Sequence, residues 1–359
     1  MSAGAWSGEQ LLERFDSETG ATILVALHSS RLGPSTGGSR MKAYPDLAAA
    51  RRDAERLSEG MTLKWAAAGF PRGGGKAVLA TPPGVALEGD RRDGLLRRYG
   101  AIIRELAGRF WTGADVGTSS RDMDVIAETG APYVFSRTPA HGGAGDSSGW
   151  TALGVEAGIR TTCARLFGDP GLSGRRIVVQ GAGSVGGALI ERLLGGGAAV
   201  AFSDVVPEAV RRWRDERGVP FVNPAAVLET PCDVLAPCAL GGVLDAVTIP
   251  RLNCRAVAGA ANNQLGEPDT DAERLAARGI LYAPDFVINA GGAVGITGQE
   301  SLGWADDRAR REVLRIGTTL GRVYDLALAH GITTEAAARR LAEERLARGS
   351  ATSPPDAAR

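Results

Sequence analysis

The chain has 359 residues, of which 44% are hydrophobic, 23% are charged and 5% are aromatic, and its formal net charge at pH 7 is zero. At about 150 residues per domain this length indicates two domains, and the apolar content excludes a disordered or fibrous protein. The balanced charge offers no basic surface for nucleic acid, so we expect no such partner. Because no apolar run reaches the roughly 18 residues of a membrane span and the N-terminus lacks a signal-peptide pattern, we expect a cytoplasmic protein with no membrane partner.

The first half of the chain predicts strands and helices that are punctuated by glycine. An apolar, partly β-branched run predicts the first strand, whereas Gly33-Pro34 and Gly37-Gly38 after it predict turns. Apolar residues at helical spacing predict two helices, the first of which is expected to end at Gly60. Strands are expected within 21–27, 73–80 and 110–118, and helices at 46–60 and 91–106.

After residue 175 short apolar strands alternate with helical stretches. This alternation is typical of a parallel, doubly wound sheet with helices on both faces. Strands are expected at 177–180, 199–203, 234–236, 256–258 and 280–283, and two helices are expected at 306–329 and 333–347. We therefore predict an α/β fold of two domains, in which the second half of the chain carries a Rossmann domain.

A glycine motif follows the first of these later strands and opens a helix. In Gly181-Ala182-Gly183-Ser184-Val185-Gly186, the first glycine permits a tight turn, the second lets backbone N–H groups approach a pyrophosphate, and the third allows close packing. Asp204 ends the next strand, where a carboxylate can accept the ribose hydroxyls and repel a 2′-phosphate. The motif predicts NAD rather than NADP, and a glycine-rich turn without a ligand is the alternative.

Lysine is rare in this chain, because Lys42, Lys64 and Lys76 are the only lysines among 41 basic residues. A buried lysine can lose its proton near neutral pH and an arginine cannot, so these lysines are candidates for proton transfer. Lys64 and Lys76 lie near glycines, and Asp115 follows a later strand. We hypothesise that one lysine binds a substrate carboxylate while the other acts as a base. Ordinary surface lysines are the alternative, although the neighbouring residues are apolar.

No metal site is predicted. The four cysteines and three histidines are scattered along the chain without the spacing of metal ligands. We interpret Cys163, Cys232, Cys238 and Cys254 as reduced thiols.

Six short motifs rich in glycine, lysine and asparagine occur in order along the chain. They are Gly37-Gly38-Ser39-Arg40, Met61-Thr62-Leu63-Lys64, Gly73-Gly74-Gly75-Lys76, Asp115-Val116-Gly117-Thr118, Ala260-Ala261-Asn262-Asn263 and Asn289-Ala290-Gly291-Gly292. With them, nearly the whole chain resembles the amino acid dehydrogenase family of the glutamate, leucine, phenylalanine and valine enzymes. The resemblance implies a homo-oligomer that deaminates an L-amino acid reversibly to a 2-oxo acid and ammonia, with NAD as the hydride acceptor.

The resemblance also implies roles for individual residues. Lys76 matches the base that activates the attacking water, and Asp115 matches the carboxylate that exchanges protons with the substrate amino group. Lys64 matches the residue that holds the substrate carboxylate, with help from Gly38, Arg40 and Asn262. The implied cofactor contacts are the glycine motif (Gly181, Ala182, Gly183, Ser184, Val185, Gly186), Asp204, Ser147, Thr151, Cys238, Ala239, Ala260, Ala261 and Asn262.

The resemblance leaves open which amino acid is the substrate. Lys42 lies outside the motifs, so the lysine with which glutamate enzymes bind the side-chain carboxylate has no match, and an apolar substrate is expected. The side-chain pocket would be lined by Thr36, Gly113, Ala293 and Ile296. The first three are shorter than the residues typical of leucine and valine enzymes, which favours phenylalanine. Leucine or valine is the alternative, and Trp65 would refill some of the space.

The expected domains follow from these assignments. Residues 1–135 and 325–350 would form the substrate domain, residues 136–324 the NAD-binding domain with a deep cleft between the two, and residues 351–359 a frayed tail. Two rival functions are a non-catalytic NAD-sensing protein, which would need only the glycine motif and Asp204, and a 2-hydroxy acid dehydrogenase. The second rival is disfavoured because such enzymes use a catalytic histidine, and no histidine here lies in a comparable motif.

Overall fold

The computed structural model describes residues 6–349, which form two compact α/β units. The first unit comprises residues 6–146, 296–304 and 342–349, and the second comprises residues 147–295 and 305–341. The boundary therefore falls after Asp146 rather than after residue 135, and residues 325–341 belong to the second unit rather than the first. The expected tail at 351–359 lies outside the described residues.

The first unit is built on a mixed sheet of five strands in the order β1-β2-β4-β3-β5. Strand β1 pairs antiparallel with β2, which pairs antiparallel with β4, whereas β3 lies parallel to both β4 and β5. The strands are β1 (Gln10–Asp16), β2 (Ala21–Ser29), β3 (Ser35–Ala43), β4 (Gly73–Thr81) and β5 (Phe110–Ala114). Strand β3 occupies a segment for which the sequence predicted glycine turns.

Helices cover both faces of this sheet. They are α1 (Leu47–Ala68), α2 (Gly89–Glu105) and α3 (Ser120–Gly130). Asp46 caps the start of helix α1, where its side chain accepts a hydrogen bond from the Ala49 N–H at 2.6 Å. The helix continues past Gly60 to Ala68 and is capped there by Gly69. The predicted end at Gly60 was wrong because Gly60 keeps a helical backbone, whereas Gly69 adopts the left-handed conformation, with φ of 65°, that stops a helix.

The second unit is built on a parallel sheet of five strands in the order β10-β9-β8-β6-β7. The strands are β6 (Arg176–Gln180), β7 (Ala199–Ser203), β8 (Cys232–Pro237), β9 (Cys254–Val257) and β10 (Leu281–Tyr282). The chain starts at β6, adds β7 on one side and then continues with β8 on the other side. This reversal of strand order next to β6 is the arrangement of a Rossmann fold, and it confirms the predicted fold class.

Helices complete this unit, and two of them extend into residues of the first unit. They are α4 (Ser148–Phe167), α5 (Ser184–Gly195), α6 (Pro207–Val210), α7 (Pro268–Ala277), α8 (Asp285–Ile288), α9 (Gly291–Leu302), α10 (Asp306–His330) and α11 (Thr334–Arg348). The Thr162 hydroxyl on α4 bonds the Tyr324 hydroxyl on α10 at 2.8 Å, which explains why α10 belongs to the second unit. Within residues 6–349, no helix is both long and apolar enough to span a membrane.

Candidate active site

Glycines bring the central strands of the first unit unusually close to one another. A Cβ on Gly37 of β3 would lie 1.8 Å from the carbonyl oxygen of Gly75 on β4. A Cβ on Gly38 would lie 2.8 Å from the Cβ of Asp115, which directly follows β5. Because only a residue without a side chain fits at either position, these glycines set how near Asp115 comes to β3 and β4.

Lys76 and Asp115 meet where these strands converge. The Nζ atom of Lys76 lies 3.0 Å from Oδ2 of Asp115, and the Lys76 side chain is only 7% exposed. The Nε atom of Arg40 on β3 lies 3.0 Å from the same oxygen. Burial alone would raise the pKa of Asp115, but the charges and hydrogen bonds of Lys76 and Arg40 outweigh it and lower the pKa to about 2. The site thus holds an ionised carboxylate in contact with both Lys76 and Arg40.

Arg40 has a second carboxylate partner. Its Nη1 atom lies 3.0 Å from Oδ2 of Asp53 on helix α1. The resemblance implies that Arg40 helps to hold the substrate carboxylate, and in the structure its guanidinium lies between two aspartates. Asp53 was not singled out in the sequence because it belongs to none of the six motifs.

Lys64 lies on helix α1 and is half-buried. The next residue, Trp65, is 1% exposed, and its indole N–H donates to the backbone oxygen of Thr36 at 2.9 Å. The indole therefore lies against the backbone at one of the positions expected to line the side-chain pocket. Thr36 itself is fully buried, with its hydroxyl donating to the Pro34 carbonyl oxygen at 3.0 Å.

The space above Gly113 is filled by another side chain. A Cβ on Gly113 would lie 2.3 Å from Cε2 and 2.7 Å from Cδ2 of Phe135. The Phe135 ring is buried, and its backbone N–H donates to the Thr112 carbonyl oxygen at 2.9 Å, which anchors it beside β5. The missing side chain at Gly113 therefore leaves no vacant volume there. Ile296 is buried on α9 within the first unit, whereas Ala293 belongs to the second unit.

In the second unit, the glycine motif forms the turn between β6 and α5. Gly181 has a φ of +94°, and a Cβ on Gly186 would lie 1.8 Å from the Gly181 carbonyl oxygen. A Cβ on Gly183, in contrast, would meet no atom within 4 Å. Gly183 is the N-cap of α5 and supplies no side chain to cap the first N–H groups of the helix. The first and third glycines are thus required for packing, while the second leaves open an approach for an anion to these N–H groups.

Asp204 follows β7 and supports the same turn. Its Oδ2 accepts a hydrogen bond from the Ala182 N–H at 2.6 Å, and its Oδ1 accepts one from the Val206 N–H at 2.8 Å. The carboxylate predicted to contact a ribose therefore also holds the backbone of the glycine motif.

The other predicted cofactor contacts lie on neighbouring loops and helices of the second unit. Ser147 and Thr151 are at the start of α4, where a Cβ on Gly292 would lie 2.3 Å from the Thr151 hydroxyl oxygen. Ala239 packs on Gly181, since its Cβ would be 2.7 Å from a Cβ built there. Burial raises the pKa of the adjacent Cys238 thiol to about 12, so this cysteine stays protonated at neutral pH.

Asn289 orients Asn262. The Nδ2 atom of Asn289 donates to Oδ1 of Asn262 at 2.9 Å and to the Ala260 carbonyl oxygen at 3.1 Å. The Asn262 oxygen is therefore engaged by a donor, which fixes the direction of its amide. Asn289 lies in one of the six sequence motifs but was not assigned a role, and the structure supplies one. Among residues 6–349 no cluster of histidine, cysteine and acidic residues suited to a metal ion is found.

The comparisons with known proteins agree over both units. Residues 16–131 match the family model described as Glu/Leu/Phe/Val dehydrogenase, dimerisation domain, and residues 206–348 match the model described as Glutamate/Leucine/Phenylalanine/Valine dehydrogenase.

Three relatives cover almost the whole chain. Leucine dehydrogenase of Thermoactinomyces intermedius is 41% identical over 94% of this chain and 90% of its own length. Valine dehydrogenase of Streptomyces virginiae is 41% identical over 94% of this chain and 93% of its own. The crystal structure of L-tryptophan dehydrogenase from Nostoc punctiforme superposes with a TM-score of 0.81 at 36% identity, and the match covers 96% of this chain and 97% of that one.

Proposed function

Because the chain belongs to the glutamate, leucine, phenylalanine and valine dehydrogenase family, we propose that it deaminates a branched-chain L-amino acid, leucine or valine, to the 2-oxo acid and ammonia. Amino acid dehydrogenases of this family are NAD-dependent. The choice of a branched-chain substrate replaces the phenylalanine favoured by the sequence. It is supported by relatives that are leucine and valine dehydrogenases.

The packing at two of the predicted pocket positions carries the choice of substrate. The expectation of an aromatic substrate rested on three residues that shorten the pocket wall, Thr36, Gly113 and Ala293. Phe135 occupies the volume that a side chain at Gly113 would take, and Trp65 packs against the Thr36 backbone. A pocket wall that has been refilled by the protein's own aromatic rings favours a small aliphatic side chain over a substrate ring.

The arrangement of Lys76 and Asp115 fits the chemistry of deamination. The open N-terminus of α5 at Gly183 would hold the pyrophosphate of NAD, which would supply the acceptor for the hydride of the substrate Cα. The resulting iminium carbon must be attacked by water, and we assign Lys76 as the base that takes the water proton. Asp115, ionised and 3.0 Å from Lys76 Nζ, is assigned to exchange protons with the substrate amino group. Lys64 is assigned to the substrate carboxylate.

An aromatic amino acid is the second candidate, favoured by the similarity to L-tryptophan dehydrogenase. Initial rates of NAD reduction with leucine, valine, phenylalanine, tryptophan and glutamate at saturating NAD separate the candidates. We expect the highest kcat/KM with leucine or valine. A lead for phenylalanine or tryptophan would refute the branched-chain assignment, and an absence of NAD reduction with every amino acid would favour the non-catalytic NAD-sensing protein.

We also propose that the chain forms a homo-oligomer through the first unit, since that unit matches a dimerisation domain. Light scattering coupled to size-exclusion chromatography tests this, and a mass of one chain, 37.2 kDa, would refute it.

A further inference from the structure

Arg40 links the Lys76–Asp115 pair to a second set of polar groups behind it. The Oδ2 atom of Asp53 lies 3.0 Å from Arg40 Nη1 and accepts a hydrogen bond from the Tyr44 hydroxyl at 2.7 Å. The other oxygen of Asp53, Oδ1, lies 2.8 Å from Arg56 Nη2. Both oxygens of Asp53 are therefore held, and the carboxylate is fixed on helix α1.

Arg40 and Asp53 are shielded from water and ionised. The side chains of Arg40 and Asp53 are 16% and 14% exposed. Burial would raise the pKa of Asp53, but its bonds to Tyr44, Arg56 and Arg40 outweigh burial and lower the pKa. The pKa of Arg40 is raised, because the two aspartates outweigh its own burial. A continuous chain of charges thus runs from α1 through β3 to the end of β5.

We propose that Asp53 is a positioning residue of the deamination, holding Nη1 of Arg40 so that Nε is aimed at Asp115. This inference rests on the proposed function, in which Asp115 exchanges protons with the substrate. The same Asp115 oxygen contacts Arg40 and Lys76, each at 3.0 Å, so a shift of the guanidinium moves the oxygen that also bonds the base. A misplacement of about 1 Å at a reacting group costs on the order of a hundredfold in rate.

The competing interpretation makes Arg40 a ligand of the substrate carboxylate. Removing its anchor would then weaken substrate binding and raise KM, with kcat retained. Under the positioning role, the substrate carboxylate is held by other groups, so KM is kept and kcat falls. The two interpretations thus differ in which kinetic constant responds.

The test compares Asp53→Asn and Tyr44→Phe with the wild type and with Asp16→Asn. Asp16 is the matched control because it is a buried carboxylate of the same unit, paired with Arg98 at 2.5 Å on another edge of the sheet. We expect Asp53→Asn to lower kcat at least about tenfold, with the KM for the amino acid within about twofold of the wild-type value. Tyr44→Phe should act in the same direction but more weakly. Asp16→Asn should leave both constants unchanged.

A second readout does not depend on turnover. Lys42, Lys64 and Lys76 are the only lysines of the chain, so the acetylation rate of each can be followed by peptide mass spectrometry, normalised to denatured protein. Because Asp115 holds Lys76 Nζ, we expect Lys76 to be acetylated several-fold faster in Asp53→Asn than in the wild type or in Asp16→Asn.

Three results would overturn the positioning role. They are an unchanged kcat, a rise in KM alone, and a wild-type acetylation rate at Lys76 in Asp53→Asn. If Asp53→Asn does not fold, Tyr44→Phe decides by the same criteria. If the wild type deaminates no amino acid, the proposed function fails, and the acetylation comparison alone decides whether Asp53 fixes the Lys76–Asp115 pair.

Discussion

Replacing Phe135 by alanine tests whether the Phe135 ring is what excludes an aromatic substrate. The substitution removes a phenyl ring whose nearest carbon lies 2.3 Å from where a Gly113 Cβ would be. It opens a space of the size and shape of the substrate ring of phenylalanine. One methylene in an apolar pocket is worth about 1–3 kcal/mol of discrimination. We therefore expect the kcat/KM for phenylalanine, divided by that for leucine, to rise by about 10–200-fold.

The cost of the substitution must be separated from its effect on specificity. Truncating a buried phenylalanine costs roughly 3–5 kcal/mol of stability, a large part of the total for a domain. Leu96→Ala is a suitable control, because Leu96 is fully buried on α2 and belongs to the core on the other face of the sheet. It should lower the melting temperature comparably without changing the substrate ratio.

The assay is the initial rate of NAD reduction with phenylalanine, tryptophan, leucine and valine, measured on protein shown to be folded by circular dichroism. An unchanged ratio in folded Phe135→Ala would refute the argument that this ring closes the side-chain pocket. If Leu96→Ala also raises the ratio of kcat/KM for phenylalanine to that for leucine, the change in specificity comes from a general loosening of the unit.

Lys76→Ala should lower kcat by about 10²–10⁴-fold. The dissociation constant for NAD, measured by calorimetry, should stay unchanged. Retention of turnover would exclude Lys76 as the base. Gly183→Ala should raise the KM for NAD at least about tenfold at an unchanged melting temperature, because the added methyl group meets no protein atom. Gly186→Ala should instead unfold the turn, because its Cβ would lie 1.8 Å from the Gly181 carbonyl oxygen. Equal melting temperatures for the two variants would contradict this prediction. Glu335→Gln tests a buried carboxyl whose pKa is raised to about 7, by burial first and then by Asp285. Because the pKa of this carboxyl is higher in the folded than in the unfolded state, folding becomes less favourable as pH rises towards 7. Thermal melts between pH 5 and 8 should therefore show a smaller loss of stability in Glu335→Gln than in the wild type.

The sequence predicted the parts of the fold that repeat a simple pattern. Strands of the second unit are short apolar runs, and the predicted 199–203 coincides with β7 (Ala199–Ser203). Strand β3 was missed because Gly37-Gly38, Arg40 and Lys42 break both the apolar run and the expected alternation. These interruptions are what the site needs, since the glycines admit Asp115 and the arginine bonds it.

The parts of the site that could not be predicted depend on contacts between distant residues. Phe135 fills the space at Gly113 although the two are 22 residues apart in the chain (135 − 113), and nothing in the local sequence marks the phenylalanine as different from a core residue. Asp53 resembles any polar residue on the exposed face of a helix. Only the folded structure brings Phe135 to Gly113 and Asp53 to Arg40.

The two hydrogen bonds of Asp204 have a consequence for engineering the coenzyme preference. A redesign towards NADP would replace this acid with a neutral or basic residue to admit the 2′-phosphate. The same replacement would remove the acceptor for the Ala182 N–H and leave the first turn of the glycine motif without its side-chain support. The carboxylate that the sequence predicts to select the coenzyme thus also holds the loop. An exchange of Asp204 must therefore supply a new acceptor for the Ala182 N–H group elsewhere in the loop.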